Sequence, residues 1–289
     1  MLRAVTSRIF FAIFALLRET NSKGFMTQVR INDIQMAYTD AGIGRPVVLI
    51  HGYPFNRSLW TEQIEALSSS YRVIAPDLRG FGETDSSDGP ATMNRMAEDV
   101  AQLMDHLDIP QAVIGGLSMG GYVALAFCKQ FASRVRALIL ADTRAQADTE
   151  EAKQTRAQQA EKALSEGMAG IADAMLPKLL TPETVSKRPD IVKRVRDMML
   201  KTTPEGAAAA LHGMAAREDQ TSFLSQISSP TLILVGAEDA ITPVADSEKM
   251  HASIAGSRLV VLENAGHVSN LERTPQFNEA LLDFLRSSV

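Results

Sequence analysis

Short apolar runs alternate with segments of helical spacing along most of this chain. "VVLIH" (Val47–His51), "YRVIAPD" (Tyr71–Asp77), "AVIGG" (Ala112–Gly116), "VRALILAD" (Val135–Asp142), "PTLILVG" (Pro230–Gly236) and "SRLVVLE" (Ser257–Glu263) are nearly continuous in β-branched residues and leucine. Such runs suit strands covered on both faces, because neither set of alternating side chains meets water. Between them, "SLWTEQIEALSSS", "TMNRMAEDVAQLMDHLD" and "GYVALAFCKQFAS" place apolar residues at helical spacing. This alternation predicts an α/β fold with a mostly parallel sheet flanked by helices. An earlier segment, "QVRINDIQMAYTD", reads as the first strand.

One region breaks the rhythm. From about Arg144 to Ile227 there is no strand-like run, only Ala-, Met- and charge-rich helical sequence. Pro177, Pro182, Pro189 and Pro204 are expected to cut it into short helices. It is too long for a connecting loop, so a helical insertion standing over the sheet is expected. The division is therefore residues 26–143 and 228–289 as core and 144–227 as insertion. Residues 1–25 fall outside the fold as a leader or disordered extension. Their apolar run Ile9–Leu17, between Arg8 and Arg18, is too short to span a bilayer, and no small-x-small cleavage site follows it. Export or membrane association through this segment is the alternative to a cytoplasmic location.

Composition narrows the partners. A chain of 289 residues, 45% hydrophobic and 22% charged, can bury one large core. A formal charge of −5 argues against nucleic acid, whose phosphates need clustered Lys and Arg. Cys128 is the single cysteine, which excludes an internal disulfide and any Cys-based zinc site; in an apolar run it reads as a buried structural thiol.

Candidate chemistry centres on "VIGGLSMGGYVALAF", where Gly116, Ser118 and Gly120 make G-x-S-x-G between a strand and a helix. A strand-to-helix turn this tight lifts the serine hydroxyl above the sheet edge. The N–H of Met119 then lies at a helix N-terminus, where unpaired donors favour negative charge. A serine needs a base. Of five histidines, His106, His212 and His251 read as packing or surface residues on helices, and His51 opens "HGYP" directly after a strand. His267 ends the loop "NAGH" after the last strand, at the sheet edge expected for Ser118, and is the expected base. Two aspartates follow strands and could orient it, Asp142 and Asp239. Asp239 is the better placed, since its loop leads into the strand that delivers His267; Asp142 marks the entry to the insertion. The chain order Ser118, Asp239, His267 follows.

Through "HGYPFNRSLW", "APDLRGFGETD", "GGLSMGG", "GAEDAITP" and "NAGHVSNLE" the chain resembles the α/β-hydrolase family, from about Val29 to Val289. Within that family it is most similar to the serine esterase, non-haem haloperoxidase (perhydrolase) and enol-lactonase branches. The resemblance implies an α/β-hydrolase fold with the insertion as a cap. It implies an oxyanion hole from the backbone N–H groups of Tyr53 and Met119, and His51, Asp77 and Arg79 as scaffold. No metal and no organic cofactor is implied. Dehalogenases and epoxide hydrolases of the family carry aspartate at the Ser118 position, so those chemistries are not expected. The cap lacks tryptophan, Trp60 being the only one, and Met168, Met175, Met198, Met199 and Met214 make it apolar. The expected activity is hydrolysis of carboxylic esters with small to medium apolar acyl groups through an acyl-enzyme. Enol-lactone hydrolysis, perhydrolysis or C–C cleavage by the same triad is the alternative, and a non-catalytic ligand receptor is a more distant one. The expected partner is a small-molecule ester or lactone.

Overall fold

The computed structural model describes residues 25–86 and 88–288; the apolar run Ile9–Leu17 and its targeting alternatives lie outside them. Eight strands, β1 (Phe25–Ile31), β2 (Ile34–Ala41), β3 (Arg45–Ile50), β4 (Tyr71–Pro76), β5 (Ala112–Leu117), β6 (Val135–Ala141), β7 (Thr231–Gly236) and β8 (Arg258–Leu262), form one sheet. Their order is β1-β2-β4-β3-β5-β6-β7-β8. All pairings from β4 onward in that order are parallel; β1–β2 and β2–β4 are antiparallel. The sheet is thus mostly parallel with an antiparallel edge.

That edge departs from the sequence expectation. "QVRINDIQMAYTD" is a hairpin and not a single strand: Ile31 pairs with Ile34 across Asn32 and Asp33, and Asn32 adopts φ 51°. Asparagine tolerates this left-handed conformation, which a two-residue hairpin turn requires. Pairing also begins at Phe25, so the strand takes in a residue assigned above to the leader.

The central strands read as continuous apolar runs because both faces are covered. On one face Val48, Ile50, Ile74, Ile114 and Leu138 pack with Met96, Val100 and Leu103 of α2 (Met93–His106) and Val123 and Phe127 of α3 (Met119–Gln130). On the other, Val47, Leu49, Val73, Val113 and Ile139 pack with Leu67 of α1 (Thr61–Leu67) and Phe277, Leu281 and Phe284 of the helix Thr274–Ser288. Each such side chain, fully buried, contributes roughly 1.5–3 kcal/mol. Cys128 is buried in this core, and burial pushes its thiol up to about 11.

Between β6 and β7 the chain forms α4 (Glu150–Glu166), α5 (Met168–Leu179), α6 (Pro182–Lys187), α7 (Pro189–Leu200) and α8 (Pro204–Ala215). Pro182, Pro189 and Pro204 open helices, where a missing N–H costs nothing. Thr181 and Thr203 cap α6 and α8, accepting from Thr184 N and Gly206 N. Pro177 is different: it lies inside α5 and divides nothing. Met168, Met198, Met199 and Met214 are buried, the first and last in the apolar cluster of Val48 and Val123 and the other two in that of Val47 and Phe277. Among the described residues no helix is long and apolar enough to cross a membrane.

Candidate active site

Ser118 is the one residue between β5 and α3, at φ 55° and ψ −117°. A non-glycine residue there carries strain of order 1–3 kcal/mol and persists only where its surroundings dictate it. They do so here. A Cβ on Gly120 would stand 2.2 Å from Ile50 O, so only glycine lets the first turn of α3 sit against the end of β3. Ser118 N donates to Ala141 O at 2.9 Å, and Thr143 Oγ1 donates to Ser118 O at 2.8 Å, tying the turn to the end of β6.

His267 lies in the loop after β8, 99% buried. Its Nε2 is 2.8 Å from Ser118 Oγ, and its Nδ1 is 2.8 Å and 3.0 Å from Asp239 Oδ2 and Oδ1. Since a carboxylate only accepts, Nδ1 carries the proton and Nε2 turns its lone pair to the serine. Asp239, in the loop after β7, also accepts from Ile241 N (2.8 Å) and Thr242 N (2.9 Å) on Oδ1 and from Thr242 Oγ1 (2.7 Å) on Oδ2. Burial works to raise its pKa, but the charge of His267 and these hydrogen bonds outweigh it, and the carboxyl is held below its ordinary value. The structure therefore brings Ser118, Asp239 and His267 into one hydrogen-bonded chain.

The loop bearing His267 is braced by the insertion. His267 N donates to Leu179 O at 2.9 Å. Glu272 is buried, taking Gly266 N on Oε2 at 2.6 Å and Thr181 N and Oγ1 on Oε1 at 2.9 and 3.0 Å. Thr242 lies in "GAEDAITP" and Glu272 in "NAGHVSNLE", but no local pattern gives either one a role. A buried acid or hydroxyl acquires a role only when folding shows which donors converge on it.

Met119 opens α3, so its N–H has no intrahelical acceptor. Tyr53 follows Gly52, which passes so near the serine that a Cβ there would lie 3.2 Å from Ser118 Cβ. The Tyr53 ring is buried edge-on to Phe81, their centroids 6.2 Å apart, which holds the loop down. His51 is fully buried: its Nδ1 donates to Gly52 O at 2.9 Å and its Nε2 accepts from Leu78 N at 3.0 Å. Burial lowers its pKa, so it stays neutral and joins the β3 loop to the β4 loop. Asp77 takes Arg57 N (2.6 Å) and Glu83 N (2.9 Å), and Arg79 pairs with Asp99 at 2.7 Å. The Asp142 carboxyl is hydrogen-bonded elsewhere, to Gly236 N and Ser269 Oγ. His106, His212 and His251 are exposed on helices. Among the described residues no three His, Cys, Asp or Glu side chains stand close enough to hold a metal ion.

This fold and this site define a class. The alpha/beta hydrolase fold family matches residues 45–274, and the chain belongs to it; the protein is a hydrolase of that family. Among its relatives, 3-oxoadipate enol-lactonase 2 of Acinetobacter baylyi is 33% identical over 89% of this chain and 95% of its own. A malate-bound thermophilic esterase from Thermogutta terrifontis superposes with a TM-score of 0.89 at 43% identity, over 91% of this chain and 99% of its own. The enol-lactonase of Burkholderia xenovorans LB400 gives 0.85 at 32% identity, over 90% and 100%.

Proposed function

We propose that the protein is a serine hydrolase of carboxylic esters with small or medium apolar acyl groups, acting through an acyl-enzyme. The observation that carries this is the unbroken contact from Asp239 through His267 to Ser118 Oγ at 2.8 Å. In the proposed reaction Ser118 Oγ bonds to the ester carbonyl carbon as its proton passes to His267 Nε2. The N–H groups of Met119 and Tyr53 receive the oxyanion. Asp239 holds the imidazolium that forms, which then returns the proton to the departing alcohol. Water attacks the acyl–Ser118 ester with the same base, releasing the acid and restoring the hydroxyl. Relatedness to the Thermogutta esterase at 43% identity supports the ester as substrate.

A second reading, hydrolysis of an enol-lactone, is favoured by the two enol-lactonases at 33% and 32% identity. It uses the same groups, with the leaving enol retained in the product.

Turnover of p-nitrophenyl acetate, p-nitrophenyl butyrate and 3-oxoadipate enol-lactone tests both. Ser118→Ala is expected to lower kcat by about 10⁴-fold or more on whichever substrate is used. A fluorophosphonate probe is expected to label the parent at Ser118 alone. Unchanged turnover in the variant, or an unlabelled parent, refutes the assignment and leaves a binding role.

A further inference from the structure

Two loops must meet for Asp239 to reach His267, and a residue outside both of them touches each. Asp142 is the first residue past β6, fully buried, at φ 45°. Its backbone N–H donates to Leu234 O at 2.8 Å, extending the β6–β7 ladder by one residue. Its Oδ1 accepts from Gly236 N at 2.9 Å, where β7 gives way to the loop bearing Asp239. Its Oδ2 lies 2.6 Å from Ser269 Oγ, just beyond His267.

Before His267 the two loops are joined by backbone, Ala237 N to Leu262 O and Glu238 N to Ala265 O, both 2.9 Å. Beyond His267, among the described residues, the hydrogen-bonded link back to β7 runs through Asp142. We propose that Asp142 is a positioning residue for the triad, its one carboxyl fastening the loop of Asp239 to the loop of His267 and so setting the separation of acid and base. The proposal rests on the triad reading given above.

The charge arrangement agrees with this geometry. Asp142 and Asp239 are both buried, with His267 the ionisable partner of Asp239. Two bare carboxylates here would repel in a medium that screens them poorly. Burial first, and then the charge of Asp239, hold the Asp142 carboxyl well above its ordinary value, while Asp239 is held below its own. The carboxyl accepts on both oxygens, from Gly236 N and from Ser269 Oγ; an asparagine keeps the first acceptor, and the serine hydroxyl can turn to accept from its amide N–H.

Three variants test it: Asp142→Asn, Asp142→Ala and Ser269→Ala, each followed by kcat, KM and the pH profile of kcat/KM on p-nitrophenyl acetate. Ser269→Ala and Asp142→Ala are expected to lower kcat about 10- to 100-fold, the scale of a misplaced reacting group, with KM changed less. The acid limb of kcat/KM is expected to move to lower pH in both, because an imidazolium less well held by Asp239 is harder to form. Asp142→Asn is expected to restore kcat and the profile to near the parent. If Asp142→Ala fails to fold, Ser269→Ala decides alone. A folded Ser269→Ala enzyme with the parent's kcat and pH profile overturns the proposal, even if its stability drops. A parent that fluorophosphonate does not label at Ser118 would signal failure of the triad reading instead.

Discussion

Thr242→Val removes one hydroxyl from a fully buried position and leaves the side-chain volume almost unchanged. In the parent that hydroxyl donates to Asp239 Oδ2 at 2.7 Å, and His267 Nδ1 is the other partner of the same oxygen. A hydrogen bond to a charged group is worth about 1.5–3 kcal/mol net, and valine leaves no cavity to add to it. The unfolding free energy at pH 7 is therefore expected to fall by about 1.5–3 kcal/mol. The pH dependence follows from the direction of the Asp239 shift. Its pKa is lower folded than unfolded, so its contribution is fully present above the unfolded value of about 3.9 and is lost as pH falls through the folded one. Valine raises the folded pKa toward the ordinary value, so the variant's carboxyl begins to take up its proton at a higher pH than the parent's. The gap between the two proteins should be level from pH 7 to about 5 and should narrow, never widen, on further acidification. Urea unfolding at pH 7, 5 and 3.5 measures it, with Thr242→Ser keeping the hydroxyl as control. A gap under about 0.5 kcal/mol at pH 7, or one that grows as pH falls, refutes the reasoning.

Two further substitutions probe the frame around the site. Gly120→Ala would push a Cβ to 2.2 Å from Ile50 O and 2.8 Å from His51 O, both backbone atoms with no rotamer to change. It should cost at least the 1–3 kcal/mol typical of overpacking and abolish ester turnover, read from thermal midpoint and p-nitrophenyl acetate hydrolysis. Glu272→Gln keeps the shape but supplies one acceptor where the structure needs two, so an amide N–H would face either Gly266 N or Thr181 N. A loss of about 1–3 kcal/mol is expected, with kcat falling more than KM rises because Gly266 adjoins His267; urea unfolding and steady-state kinetics separate the two effects.

Most of the sheet was legible because strands covered on both faces are apolar at every position, as Val47 and Val48 illustrate by entering opposite cores. The β1–β2 hairpin was not, since its strands carry polar residues such as Gln28, Arg30 and Gln35 and its turn, Asn32-Asp33, lacks the Asn-Gly or Asp-Gly signal. Pro177 misled for a related reason. Its missing N–H is expected to end a helix, yet α5 continues, with Ala172 and Leu179 buried on either side of it. Packing of those neighbours overrides the local cost.

The sequence by itself determined the alternation of strand and helix, the G-x-S-x-G turn and the order in which Ser118, Asp239 and His267 come, because periodicity and backbone sterics act over a few residues. Only the tertiary structure decided that Asp142 hydrogen-bonds Gly236 and Ser269, that Thr242 and Glu272 are buried partners of the site, and that Leu179 and Thr181 of the insertion hold the His267 loop. These are contacts between residues far apart in the chain, where the partner of a buried polar atom is set by how strands and loops converge.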